Sequence, residues 1–284
     1  LSPASAIEVA SHCHRNEEKH VRLIFALVCI HLALIPQAFS REVISVTLGR
    51  QINDKPVVIS ALVQIAEKPN GKAILIFPGW PGIPRIEENN GTPSYLYLQE
   101  HFEEMAPTLL AAGISTVTID CPTDQWGTRG FNPTACDDTY RSSAQHAEDV
   151  AALISKLKAS KAIQQITIMG HSYGAVSSHW LSLRLNQGQI QSAIHSASQT
   201  VAGGGAFQQY ASSMARFNHA DVKVPYIYLH HQDDLCSFTP YSYAQKNAKE
   251  GQLITVIGGN KWSAPCGKAS YHGYSERRLQ LADA

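Results

Sequence analysis

Two periods of hydrophobic and polar positions run through this chain. Val43 to Leu48 and Val57 to Ile65 partly alternate apolar and polar residues, as half-buried antiparallel strands do. Ala73 to Phe77 (A-I-L-I-F) is continuously apolar, which suits a strand covered on both faces. Leu98, Phe102, Met105 and Leu109 recur at helical spacing, and Ser115 to Ile119 predicts the next strand. Ala147, Val150, Ile154 and Leu157 mark a second helix. Ile166 to Met169 is a third buried strand, followed by a Gly-flanked turn and a helix to about Leu185. Ile190 to Ile194, Val224 to Leu229 and Leu253 to Ile257 predict three more strands. Strands interleaved with helices imply an α/β fold: a mostly parallel central sheet, helices on both faces and right-handed crossovers. Chemistry is then expected at the carboxyl ends of the strands. No Pro/Gly/Ser-rich linker divides 41–284, which reads as one catalytic domain.

The amino-terminal 40 residues have a different pattern. Leu23 to Ile35 is apolar except for His31, shorter than the ~20 residues that cross a bilayer. Lys19 and Arg22 precede it, and Ala38-Phe39-Ser40 follows with small residues where a signal peptidase cuts. This predicts a secretory signal peptide over about 21–40. The competing reading is a buried helix or an uncleaved anchor. Glu8, Glu17 and Glu18 fit a signal peptide poorly, so translation is expected to begin near Val21. The product is expected to be exported, periplasmic or secreted, with no stable membrane anchor after cleavage.

Cleavage removes Cys13 and Cys29 and leaves Cys121, Cys136, Cys236 and Cys266. An even count in an exported chain suggests two disulfides, and four cysteines allow three pairings. Local spacing favours Cys121 with Cys136 and Cys236 with Cys266. No C-x-x-C spacing occurs, so a zinc site is not expected. Asp120, Asp124, Asp137 and Asp138 read as a solvated loop rather than a calcium site. Lys+Arg and Asp+Glu are 23 each, which argues against an electrostatic binder of nucleic acid or anionic membrane. No phosphate loop or dinucleotide fingerprint appears, and no cofactor is expected.

The sharpest motif is Gly170-His171-Ser172-Tyr173-Gly174, a G-x-S-x-G directly after a buried strand and opening a helix. Such a turn is too tight for side chains on both flanks, and it projects the serine hydroxyl out of the sheet. A serine needs a base to take its proton. Asp233 and Asp234, beyond the strand ending near Leu229, are candidate acids, and His272, before Gly273, is the candidate base. The oxyanion hole needs two backbone N–H groups. One is expected from Tyr173. The other is expected from Pro78-Gly79-Trp80-Pro81-Gly82, where Pro81 has none, leaving Trp80 or Gly82. Trp80, which follows the first glycine, is favoured.

These residues resemble the α/β-hydrolase superfamily over essentially all of 41–284. The resemblance implies the α/β-hydrolase fold and a Ser172–Asp234–His272 triad. Its H-G-x-x-D acid pattern, laid on His230-His231-Gln232-Asp233-Asp234, favours Asp234, although His231 stands where glycine is usual. Only Val201 to Ala220 is left over for a lid, so a small cap and an open pocket are expected, with Trp80 and Tyr173, and Phe207 or Tyr210, as apolar lining. The expected function is a serine hydrolase acting through an acyl-enzyme on a small-molecule ester. An amidase, peptidase or acyltransferase with the same triad, or a non-catalytic binding protein of the same fold, are the alternatives. Oligomeric state has no signature in the sequence.

Overall fold

The computed structural model describes residues 40–127, 136–202 and 211–282. The expected leader lies outside these residues apart from Ser40, as do Phe207 and Tyr210. Ten strands are present among the described residues: β1 (Arg41–Ile52), β2 (Lys55–Gln64), β3 (Lys72–Phe77), β4 (Glu87–Asn89), β5 (Thr92–Ser94), β6 (Ile114–Ile119), β7 (Gln165–His171), β8 (Ser192–Ser196), β9 (Tyr226–His231) and β10 (Leu253–Val256). An 8-stranded sheet has the order β1-β2-β6-β3-β7-β8-β9-β10, and β4 pairs with β5 in a separate hairpin. β1 and β2 are antiparallel, and β2 meets β6 antiparallel. From β6 through β3, β7, β8 and β9 to β10, every pairing is parallel.

Helices cover both faces, and β3 explains why its sequence is apolar throughout. Ala73, Leu75 and Phe77 point to one face, where they pack with Val150, Leu153, Ile154 and Leu157 of a helix over Ala144–Lys161. Ile74 and Ile76 point to the other, among Phe102, Met169 and Tyr274. Phe102 belongs to the helix Glu100–Ala111, whose His101, Phe102, Met105, Ala106, Leu109 and Leu110 form its buried stripe. Each buried aliphatic side chain here contributes about 1.5–3 kcal/mol. The helix over Ala144–Lys161 starts at Ser143, whose hydroxyl accepts from the His146 N–H at 3.0 Å.

Chain order reverses beside β3: β6 lies on one side of it and β7 on the other. Such a switch point opens a crevice beyond the strand ends. It puts the loop after β3 next to the turn after β7.

The eight strands of the main sheet agree with the hydrophobic pattern, with two differences. β8 and β9 each start two residues later than Ile190 and Val224. Pro225 has no N–H to give a ladder, although its carbonyl accepts from Ala193 N–H at 2.9 Å. His230 and His231 therefore close β9, and the acid-bearing turn begins at Gln232. β2 is buried on both faces rather than half-buried, because it is an inner strand between β1 and β6. Gln64 is buried there, its carbonyl accepting from the Thr116 hydroxyl at 3.1 Å.

Candidate active site

The Gly170–Gly174 segment forms a sharp strand-to-helix turn. Ser172 has φ +54°, in the left-handed region that a side chain rarely occupies. Tyr173 returns to helical angles, and a helix runs over Gly174–Arg184. A Cβ on Gly170 would lie 2.2 Å from the Gly174 carbonyl oxygen, and one on Gly174 only 2.0 Å from that of Phe77. These approaches require the two glycines. The Ser172 N–H donates to Ser196 O at 2.9 Å, which locks the turn to β8.

The turn after β9 holds the two candidate acids in different surroundings. Asp233 is exposed, and its backbone N–H donates to His231 Nδ1 at 3.0 Å. The Asp234 carboxylate is fully buried. Its Oδ1 accepts from Cys236 N–H at 2.9 Å. Its Oδ2 accepts from the Thr239 hydroxyl at 2.8 Å and from His272 Nδ1 at 3.0 Å, with His230 Nε2 at 3.4 Å. Burial by itself would raise the Asp234 pKa. The hydrogen bonds from His230, His272 and Cys236 outweigh it and hold the group well below the usual carboxylate range. It is Asp234, not Asp233, that reaches His272.

His272 is buried and sits before Gly273, where a Cβ would lie 2.2 Å from Lys268 O. Ser172 and His272 line one pocket of about 680 Å³. Among the described residues no hydrogen bond joins Ser172 to His272. In ligand-free enzymes such bonds are often long and tighten only around substrate.

Trp80, Pro81, Leu98 and Phe238 give the pocket an apolar wall, and the Cys236–Cys266 disulfide, with Cα atoms 4.7 Å apart, forms part of it. That bridge ties the turn bearing Asp234 to the loop bearing His272. Cys121 is bonded to Cys136. Trp80 is 41% exposed at the pocket, as expected of a lining residue. Tyr173 is not in the lining. Its side chain is wholly buried among Val176, Trp180, Met214 and Phe217, with its hydroxyl donating to Asp138 Oδ1 at 3.1 Å. A residue that starts the helix after the turn points its side chain under the sheet end, so only its backbone N–H can face the pocket. The expectation of a Tyr173 side-chain contact with substrate is corrected accordingly.

Two pocket histidines escaped the sequence reading. His171 Nδ1 is 3.0 Å from Ser196 Oγ, which is 2.8 Å from the Tyr274 hydroxyl, which donates to Leu229 O at 2.7 Å. The direction of that last bond propagates back and makes His171 the donor at Nδ1. His101 lies with its ring centroid 4.1 Å from that of His171. Burial first, and then the electrostatic influence of the neighbouring His101 and His272 rings, pushes His171 well below the usual histidine range, and burial lowers His101 to about 3. Both are neutral at pH 7. His171 occupies the variable position of the serine motif, and His101 carries no sequence signal at all. Among the described residues no group of His, Cys, Asp and Glu could hold a metal ion, and no helix is long and apolar enough to cross a membrane.

This constellation stands on a sheet whose order and switch point define a class. The chain belongs to the alpha/beta hydrolase fold family, whose sequence model matches residues 72–230. Among solved structures it is similar to Est1E from Butyrivibrio proteoclasticus, at 13% identity and TM-score 0.55, covering 85% of this chain and 95% of that one. It is similar to a cold-adapted esterase from an Arctic intertidal metagenomic library, at 17% identity and TM-score 0.50, covering 86% and 94%. It also resembles the Pyrococcus horikoshii acylaminoacyl peptidase, at 14% identity and TM-score 0.54, covering 89% of this chain but 42% of that one. These identities carry the fold. A search of curated protein sequences gives no match.

Proposed function

We propose that this chain is a serine esterase that cleaves small carboxylic esters through Ser172, His272 and Asp234. The observation that carries the proposal is the buried Asp234–His272 hydrogen bond opening on the same pocket as the left-handed Ser172. In this reading His272 Nε2 takes the proton as Ser172 Oγ attacks the ester carbonyl, and Asp234 stabilises the imidazolium at Nδ1. The tetrahedral oxyanion is held by the N–H groups of Tyr173 and Trp80. Gln99 argues against Gly79 as the second donor: its side-chain oxygen accepts the Gly79 N–H at 3.0 Å. His272 then gives its proton to the leaving alcohol, and water activated by the same imidazole releases the acid and regenerates Ser172.

The pocket volume lies within the ~300–1,000 Å³ usual for small-molecule sites. The similarity to a cold-adapted esterase supports an ester over an amide as the first substrate to test. Two disulfides are compatible with an exported protein, and we place its work in the periplasm or outside the cell.

A panel of p-nitrophenyl esters of rising acyl length, beside p-nitroanilide amides, tests the assignment. Acetyl and butyryl esters are expected to turn over fastest, palmitoyl esters poorly, and the anilides more slowly than any short ester. Anilide turnover above that of the short esters would replace the esterase reading with an amidase.

A further inference from the structure

Arg141 is a cation buried in the protein beside the candidate site, and the mechanism above does not use it. It is 2% exposed. Among the described residues no carboxylate forms an ion pair with it. A buried charge without a counter-ion is costly unless its hydrogen bonds are made. Arg141 spends them on the backbone and side chains around the serine turn. Its Nε donates to Cys136 O at 2.9 Å, one terminal nitrogen to Ser177 Oγ at 2.7 Å, and the other to Gly82 O at 3.4 Å. That last nitrogen also lies 3.8 Å from Cys121 Sγ. The guanidinium stacks over the Tyr173 ring, with Cζ 4.7 Å from the centroid.

Each partner bears on the same few atoms. Gly82 ends the Pro78–Gly82 loop that carries Trp80. Ser177 lies in the first turn of the helix that Ser172 opens, and Tyr173 carries the other proposed oxyanion N–H. Cys121 and Cys136 are the disulfide that closes the loop leading to Arg141. Gly82 has φ +72°, and a Cβ there would lie 2.0 Å from the guanidinium. The second glycine of Pro78-Gly79-Trp80-Pro81-Gly82 thus makes room for Arg141. The arrangement is poor for stability alone, because a cation against the first turn of a helix opposes the helix dipole.

We infer that Arg141 is a positioning residue that clamps the Trp80 loop onto the serine turn and so sets the spacing of the two oxyanion N–H groups. The inference rests on the proposed esterase reading. A clamp of this kind acts on the transition state, where the carbonyl oxygen becomes tetrahedral and negative, and little on substrate binding. Loss of clamping should therefore fall on kcat and spare KM.

The test compares wild type with Arg141→Lys, which keeps the charge and loses the planar fork. Measurements are kcat and KM on p-nitrophenyl butyrate, the rate of inactivation by diethyl p-nitrophenyl phosphate, and the melting curve. Inactivation also needs the hole, since the phosphoryl oxygen takes the oxyanion position. The expected result is a cooperative melt, kcat lowered at least about 30-fold, KM within about threefold, and inactivation slowed in step with kcat. Should Arg141→Lys not fold, Ser177→Ala gives the reading, since it removes the 2.7 Å bond and leaves the cation; kcat should fall about tenfold at unchanged KM. Unchanged kcat in whichever variant folds, or a rise in KM alone, overturns the inference. Failure of the esterase reading is distinct: wild type would then show no ester turnover.

Discussion

Asp234→Asn is expected to lower kcat on a short ester by about 10⁴-fold, as the same change does in a serine-protease triad. The carboxylate uses both oxygens as acceptors, Oδ1 for Cys236 N–H and Oδ2 for Thr239 and His272. An asparagine has one acceptor oxygen. If it keeps the Cys236 bond, its NH₂ faces the His272 Nδ1 proton, and the imidazole turns or adopts the other tautomer. Its Nε2 then cannot take the Ser172 proton. Asp233→Asn should change kcat by less than about threefold, because Asp233 is exposed and its carboxylate does not reach His272. Steady-state kinetics of the two variants check this. A larger loss in the second would move the acid by one position.

The second large effect concerns acid. Burial lowers His101, His146 and His179 each to about 3, and lowers His171 and His195 well below the usual range. In the unfolded chain each takes a proton near pH 6.5. Below that pH the unfolded state binds protons that the folded state refuses, so stability is full above about pH 6.5 and is lost as pH falls. Each such histidine removes about 1.4 kcal/mol per pH unit once its unfolded form is charged. Asp234 adds to the loss below the usual carboxylate pKa, since its folded pKa is depressed. Asp120 acts in the opposite sense, because burial raises it well above the usual value despite the Ile86 and Cys121 N–H bonds. One such group does not offset five histidines. A domain stable by about 5–15 kcal/mol should unfold cooperatively between about pH 6 and pH 4. Circular dichroism across that range measures it, and a Tm unchanged from pH 6.5 to pH 4.5 would contradict the burial of these rings.

Much of the fold was legible because its signals are local. Ala73 to Phe77 is apolar at every position, Ile166 to Met169 at every position but Thr167, and in the structure the apolar residues of both are largely buried. The serine turn was legible because its glycines are forced by approaches of 2.0 and 2.2 Å. The hairpin of β4 and β5 was missed although Asn90-Gly91 supplies its two left-handed positions, at φ +52° and +77°, because Glu87, Glu88 and Asn89 give no apolar pattern. Arg141 was missed for another reason. A buried arginine is defined by what surrounds it, and Gly82, Cys136 and Ser177 meet it only through the tertiary fold. The direction of the Tyr173 side chain is set in the same way, by Arg141 above its ring and Asp138 at its hydroxyl.

Ser172 is the proposed site of the acyl-enzyme. Intact-mass measurement after reaction with a fluorophosphonate, followed by peptide mapping, tests it most directly. One adduct is expected per chain, on the peptide containing Ser172, with none on a folded Ser172→Ala variant. An adduct that persists in Ser172→Ala, or that maps to another residue in wild type, would show that Ser172 is not the nucleophile.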